Sequence, residues 1–60
     1  MAKKKILVVD DEPNILKMVK NRLEANHYEV VTASDGVACL QSMDMEKPDL
    51  VVLEIGRAHV

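Results

Sequence analysis

Three acidic residues are placed to do chemistry together. Asp10 and Asp11 follow the run Ile6-Leu7-Val8-Val9, and Glu54 follows the run Leu50-Val51-Val52-Leu53. Both runs are apolar, rich in β-branched residues and too short for a helix, which suits strands buried on both faces of a parallel sheet. In open parallel sheets, ligand sites gather at the carboxyl ends of the strands, near the point where strand order reverses. If the two strands are neighbours, three carboxylates meet in one small pocket. Carboxylates so placed repel one another and need a compensating charge. A hard divalent cation that prefers oxygen, such as Mg²⁺, supplies it. The cation can then neutralise charge developing on a transferring phosphoryl group. Taken singly, each acid reads as a helix cap or a strand end. An acidic pair after a Val-Val strand and before Pro13, matched by an acid after a second such strand, reads as a site.

The elements that must position these acids follow in order. Pro13 suits the first turn of a helix, where its missing N–H costs nothing. Asp11 or Glu12 stands where a cap or first-turn acid favours the helix dipole. From Pro13 to about Ala25, Ile15, Leu16, Val19 and Leu23 make one apolar stripe with Met18 alongside, and Asn26-His27 ends the helix. Tyr28 to Ala33 reads as a second strand. Ser34-Asp35-Gly36 signals a turn and a helix start. Val37, Cys39, Leu40 and Met43 give a second stripe, which Lys47-Pro48-Asp49 breaks before the third strand. Met18 and Met43 read as core fillers, Cys39 as a packed thiol, and His27 as part of an exposed turn. Strand, helix, strand, helix, strand argues for an α/β fold with a parallel sheet and right-handed crossovers.

Composition narrows the class. The chain has 60 residues, a net charge of −2 and a single cysteine. A domain this small buries only about 60% of the surface its unfolded chain exposes. No disulfide is possible, and no Cys/His cluster has zinc spacing. The acidic balance gives no general attraction to nucleic acid or anionic membrane. Lys3-Lys4-Lys5 reads as a solvated lead-in, and no apolar stretch approaches the ~20 residues of a membrane span. A cytoplasmic setting is expected.

The ordered motifs resemble one family. Ile6-Leu7-Val8-Val9-Asp10-Asp11-Glu12-Pro13 looks like the opening of response-regulator receiver domains of bacterial two-component systems. Ala33-Ser34-Asp35-Gly36 with Cys39-Leu40, and Lys47-Pro48-Asp49-Leu50-Val51-Val52-Leu53, resemble later segments of the same family. The resemblance covers residues 4 to 53. It implies a flavodoxin-like, doubly wound parallel sheet of five strands in the order 2-1-3-4-5, of which these residues supply a truncated β-α-β-α-β half in the order 2-1-3. It implies Asp10 and Asp11 as metal-site acids for Mg²⁺, with Asp11 favoured as the direct ligand. Position 54 is implied as the aspartate that accepts a phosphoryl group from a sensor histidine kinase or phosphotransfer protein. The output domain, and the later hydroxyl residue and lysine that contact the phosphoryl group in this family, are not among these residues. No direct binding of nucleic acid or membrane by this segment is expected.

The match stops at Leu53. The family continues with Asp and a mostly apolar run reaching a proline, whereas this chain has Glu54-Ile55-Gly56-Arg57-Ala58-His59-Val60. The codons GAG-ATC-GGA-AGA-GCA-CAC-GTC encode that tail. All but their first base spell the start of a widely used sequencing adapter, whose next triplet is a stop. Residues 54–60 are therefore read as a non-native tail following the receiver half at 1–53, with an Asp codon compatible with the one native base. A biological reading stands beside this one. Glu54 can be a natural substitute that partly mimics a phosphorylated aspartate, in a phosphorylation-independent interaction module. A fragment of a metal-dependent α/β phosphatase ranks below both, because no nucleophile or lysine completes an active site. The leading function is that of a receiver switch rather than an enzyme. The 60 residues alone are expected to be marginally stable and inactive.

Overall fold

A computed structural model describes residues 3–53. The expectations placed on Glu54 and on the tail at 54–60 lie outside the described residues. Five elements follow in order: β1 (Lys5–Val9), α1 (Pro13–Ala25), β2 (Glu29–Ala33), α2 (Gly36–Glu46) and β3 (Leu50–Leu53). The strands form a parallel sheet in the order β2-β1-β3. The chain thus steps from β1 to one neighbour and then crosses back to the other, the doubly wound pattern expected from the alternation of elements.

Register follows from pattern. Leu7 faces Val31 and Val51, and Val9 faces Ala33 and Leu53. The carboxyl ends of all three strands are therefore level. β1 is central and completely apolar past its first residue, and Ile6, Leu7, Val8 and Val9 are all buried. Leu7, Val9, Ala33 and Cys39 form the core beneath α2, with Val31, Ala38 and Val51 packed against it. Side chains alternate along a strand, so Ile6 and Val8 face the opposite side, toward α1. The Cys39 thiol is packed as expected, its Sγ 3.9 Å from the Met43 sulfur.

Each helix starts for a local reason. Asp35 caps α2, its Oδ1 accepting the Ala38 N–H at 2.8 Å, which satisfies one of the orphan donors of a first turn. Glu12 occupies the N-cap position of α1, ahead of Pro13, yet its side chain makes no capping hydrogen bond. The side-chain capping bond expected of Asp11 or Glu12 is therefore absent, and the side-chain bond at this helix entry runs instead from the Glu12 N–H to Asp10 Oδ1. α1 ends as expected at Asn26-His27. The second strand starts at Glu29 rather than Tyr28, since His27 takes the left-handed conformation, φ 70°, to turn the chain.

Three expectations need correction. Met18 is 52% exposed and Met43 43%, so neither is a core filler. On α2 only Cys39 is buried, and Val37 and Leu40 are largely exposed. No described element packs over that flank of the helix, so the stripe has nothing to bury against. Lys5 is not part of a solvated lead-in. Its Nζ lies 3.1 Å from Glu46 Oε1 and 3.7 Å from Glu29 Oε2, and its backbone N–H donates to Asp49 Oδ2 at 2.8 Å. One residue at the start of β1 thereby ties together the end of α2 and the starts of the two outer strands. The Glu46 hydrogen bond raises the Lys5 pKa above its ordinary 10.5; desolvation opposes it in part, and the attraction of Glu29 adds to it.

Candidate functional site

Asp10 is the only buried charged residue among the described residues, at 1% exposure. Strand register explains its position. β1 runs apolar to Val9, and the Asp10 N–H continues the ladder by donating to the Ala33 carbonyl at 3.1 Å. Asp10 is therefore fixed at the sheet's carboxyl edge by β2. Its side chain turns back on the loop, where Oδ1 accepts the Glu12 N–H at 2.8 Å. The two-residue spacing makes this an Asx turn. The turn delivers the chain to Pro13, and the Glu12 carbonyl then accepts from the N–H groups of Ile15 and Leu16, both at 3.1 Å.

The other Asp10 oxygen accepts no hydrogen bond from the described residues, and neither described ion pair involves Asp10. A buried carboxylate without a positive partner is costly to maintain. A cation bound there would remove that cost. Asp11, next along the chain, is exposed and offers a second carboxylate at the same edge. Level with them, β3 ends at Leu53, which pairs with Val9. Two hard oxygen donors, one buried and one open to solvent, suit a hard cation such as Mg²⁺. Among the described residues no three His, Cys, Asp or Glu side chains gather as a cage, so the pair alone could supply only part of a ligand set.

The element order and the β2-β1-β3 sheet are accompanied by a family match in sequence. Residues 6–56 match the response regulator receiver domain. The chain belongs to that family. The receiver is 52% identical over 52 residues to the alkaline phosphatase synthesis transcriptional regulatory protein PhoP of Bacillus subtilis, a match covering 87% of this chain and 22% of that protein. It is 53% identical over 53 residues to the probable transcriptional regulator ycf27 of Cyanophora paradoxa, covering 88% and 22%. It is 41% identical over 51 residues to the transcriptional regulatory protein KdpE of Mycobacterium tuberculosis, covering 85% and 23%. The receiver thus spans about a fifth of the length of these curated relatives. No helix among its described residues is long and apolar enough to cross a membrane.

One surface of the receiver is not anticipated by the sequence motifs. A groove of about 430 Å³ lies between α1 and β2, lined by Pro13, Leu16, Lys17, Lys20, Asn21 and Thr32. The helical spacing of Lys17, Lys20 and Asn21 is a signal for it, but that spacing is also the mark of an ordinary solvated face.

Proposed function

We propose that this chain is the acceptor module of a phosphorelay, taking a phosphoryl group at position 54 from the phosphohistidine of a sensor histidine kinase or phosphotransfer protein. In that step the N–P bond of the donor breaks and an O–P bond to a carboxylate forms, leaving the histidine to recover a proton. The observation that carries the reading is the buried Asp10, without an ion-pair partner among the described residues, beside exposed Asp11, in a chain of the receiver family. Asp10 and Asp11 would hold Mg²⁺. When bound, that ion offsets negative charge on the phosphoryl oxygens. The Asp10–Glu12 turn holds the buried carboxylate in place before any ligand arrives, so little reorganisation is needed on binding. The module works in the cytoplasm and drives an output domain elsewhere in the longer protein. It acts as a switch rather than as an enzyme with a separate substrate.

Position 54 is proposed to be an aspartate in the natural protein, with residues 54–60 non-native. Glu at this position sets its reacting oxygen one methylene away from that of Asp, and displacements of that size are costly in catalysis. The 60-residue chain carrying Glu54 is therefore proposed to be inactive in transfer. A second reading, a phosphorylation-independent interaction module, rests on the Glu that stands at position 54. Sequencing the source gene and labelling its full-length product with acetyl phosphate distinguishes the two. The relay reading expects an aspartate codon at position 54 and Mg²⁺-dependent incorporation of one phosphoryl group at that residue. A native Glu codon with no labelling overturns it in favour of the interaction module.

A further inference from the structure

We propose that the outer edge of β2, together with the Lys17–Lys20 face of α1, docks an extended acidic segment of a partner protein as an added strand. β2 is an edge strand of the described sheet. Its inner bonds are fixed: the Glu29 N–H donates to the Lys4 carbonyl, and the Ala33 carbonyl accepts from Asp10. Bonding alternates along a parallel strand, so Glu29, Val31 and Ala33 serve β1, while the backbone groups of Val30 and Thr32 point outward. Neither outward residue is a proline or carries a charge, the usual protections of an edge.

The adjoining groove states the chemistry of the occupant. Thr32 forms part of its lining, and Lys17 and Lys20 supply two positive charges without an acid among the lining residues. Both described ion pairs belong to Lys5, so neither groove lysine is paired among the described residues. The net charge of the whole chain is −2, so this basic face departs from the general balance. An extended peptide added at the edge would place alternate side chains over α1. Acids at those positions would meet the lysines, while the main chain bonds to Val30 and Thr32.

A capped hexapeptide alternating Glu and Thr, titrated into the full chain and followed by amide NMR, tests this. The amides of Val30 and Thr32 are expected to shift and to gain protection from exchange. Lys17→Glu combined with Lys20→Glu is expected to weaken binding by about tenfold or more. Thr32→Pro removes one outward N–H while sparing the ladder bonds to β1, and is expected to weaken it too. Retained amide dispersion in each variant confirms that its fold is intact, and Lys17→Gln with Lys20→Gln serves if charge reversal unfolds the chain. Undiminished binding by the lysine variants, or shifts that avoid β2, overturns the proposal. Equal competition by a single-stranded oligonucleotide of the same charge also overturns it, because it would show charge attraction without strand addition.

Discussion

Asp10 Oδ1 accepts the Glu12 backbone N–H at 2.8 Å while the Asp10 side chain is almost completely buried. One carboxylate thus shapes the entry to α1 and places at the sheet edge a charge that no described residue pairs. The local bond needs only an acceptor oxygen, whereas cation binding needs the charge. The two roles are therefore separable by an amide.

Asp10→Asn is expected to preserve the turn and to raise the stability of the metal-free chain by about 1 kcal/mol, since it removes a buried charge that has no ion-pair partner among the described residues. The same change is expected to abolish stabilisation by Mg²⁺. Urea denaturation with and without the ion checks both. A less stable metal-free variant would show that the charge itself helps to hold the fold.

Lys5 should give stability an alkaline limit. Its folded pKa is raised by Glu46 and Glu29, so its contribution is fully present below the unfolded value. That contribution is lost as pH rises from about 10.5 through the higher folded value. The informative measurement is a comparison with a variant that lacks this ammonium group. Lys5→Met is expected to show a shallower alkaline loss of Tm than the parent chain. Identical slopes would contradict the ion-pair assignment.

The helix ends offer opposite changes. Asp35→Ala removes the bond to Ala38 and is expected to cost about 1 kcal/mol. Lys47 ends α2 in the left-handed conformation, φ 48°, so Lys47→Gly is expected to gain roughly 0.5–1 kcal/mol. Chemical denaturation of both variants checks the signs.

The core leaves little reserve. Leu7 is completely buried at the centre of the sheet, and Leu7→Ala is expected to cost about 3 kcal/mol. Cores of domains this small seldom supply more than about 3–5 kcal/mol in total. The variant is therefore expected to be largely unfolded at room temperature by circular dichroism. A cooperative melt close to that of the parent would contradict this packing.

Much of this is legible in the residues because the signals are local. Ile6 to Val9 form a short β-branched apolar run that suits a buried strand, Pro13 after the acids suits a helix start, and Asp35 stands where a cap belongs. Strand order 2-1-3 comes with the family resemblance, and the level strand ends follow from it. Packing is less legible. The stripes holding Met18, Leu40 and Met43 have helical spacing, but spacing does not say whether another element lies above them. Lys5 is obscure for the opposite reason, since its partners Glu29 and Glu46 are brought to it only by the tertiary fold. The acidic pair is legible as a candidate site, but the contrast between buried Asp10 and exposed Asp11 is not, because it depends on the turn to Glu12.

The central claim is that Asp10 and Asp11 form the cation end of an acceptor site. Titration of the chain with Mg²⁺, followed by amide NMR, tests it most directly. A saturable shift centred on Asp10, Asp11 and Glu12 is expected, lost in Asp11→Asn and retained in Asp35→Asn, which removes another exposed carboxylate. No saturable shift at these amides, or the same response in Asp11→Asn, would contradict the claim.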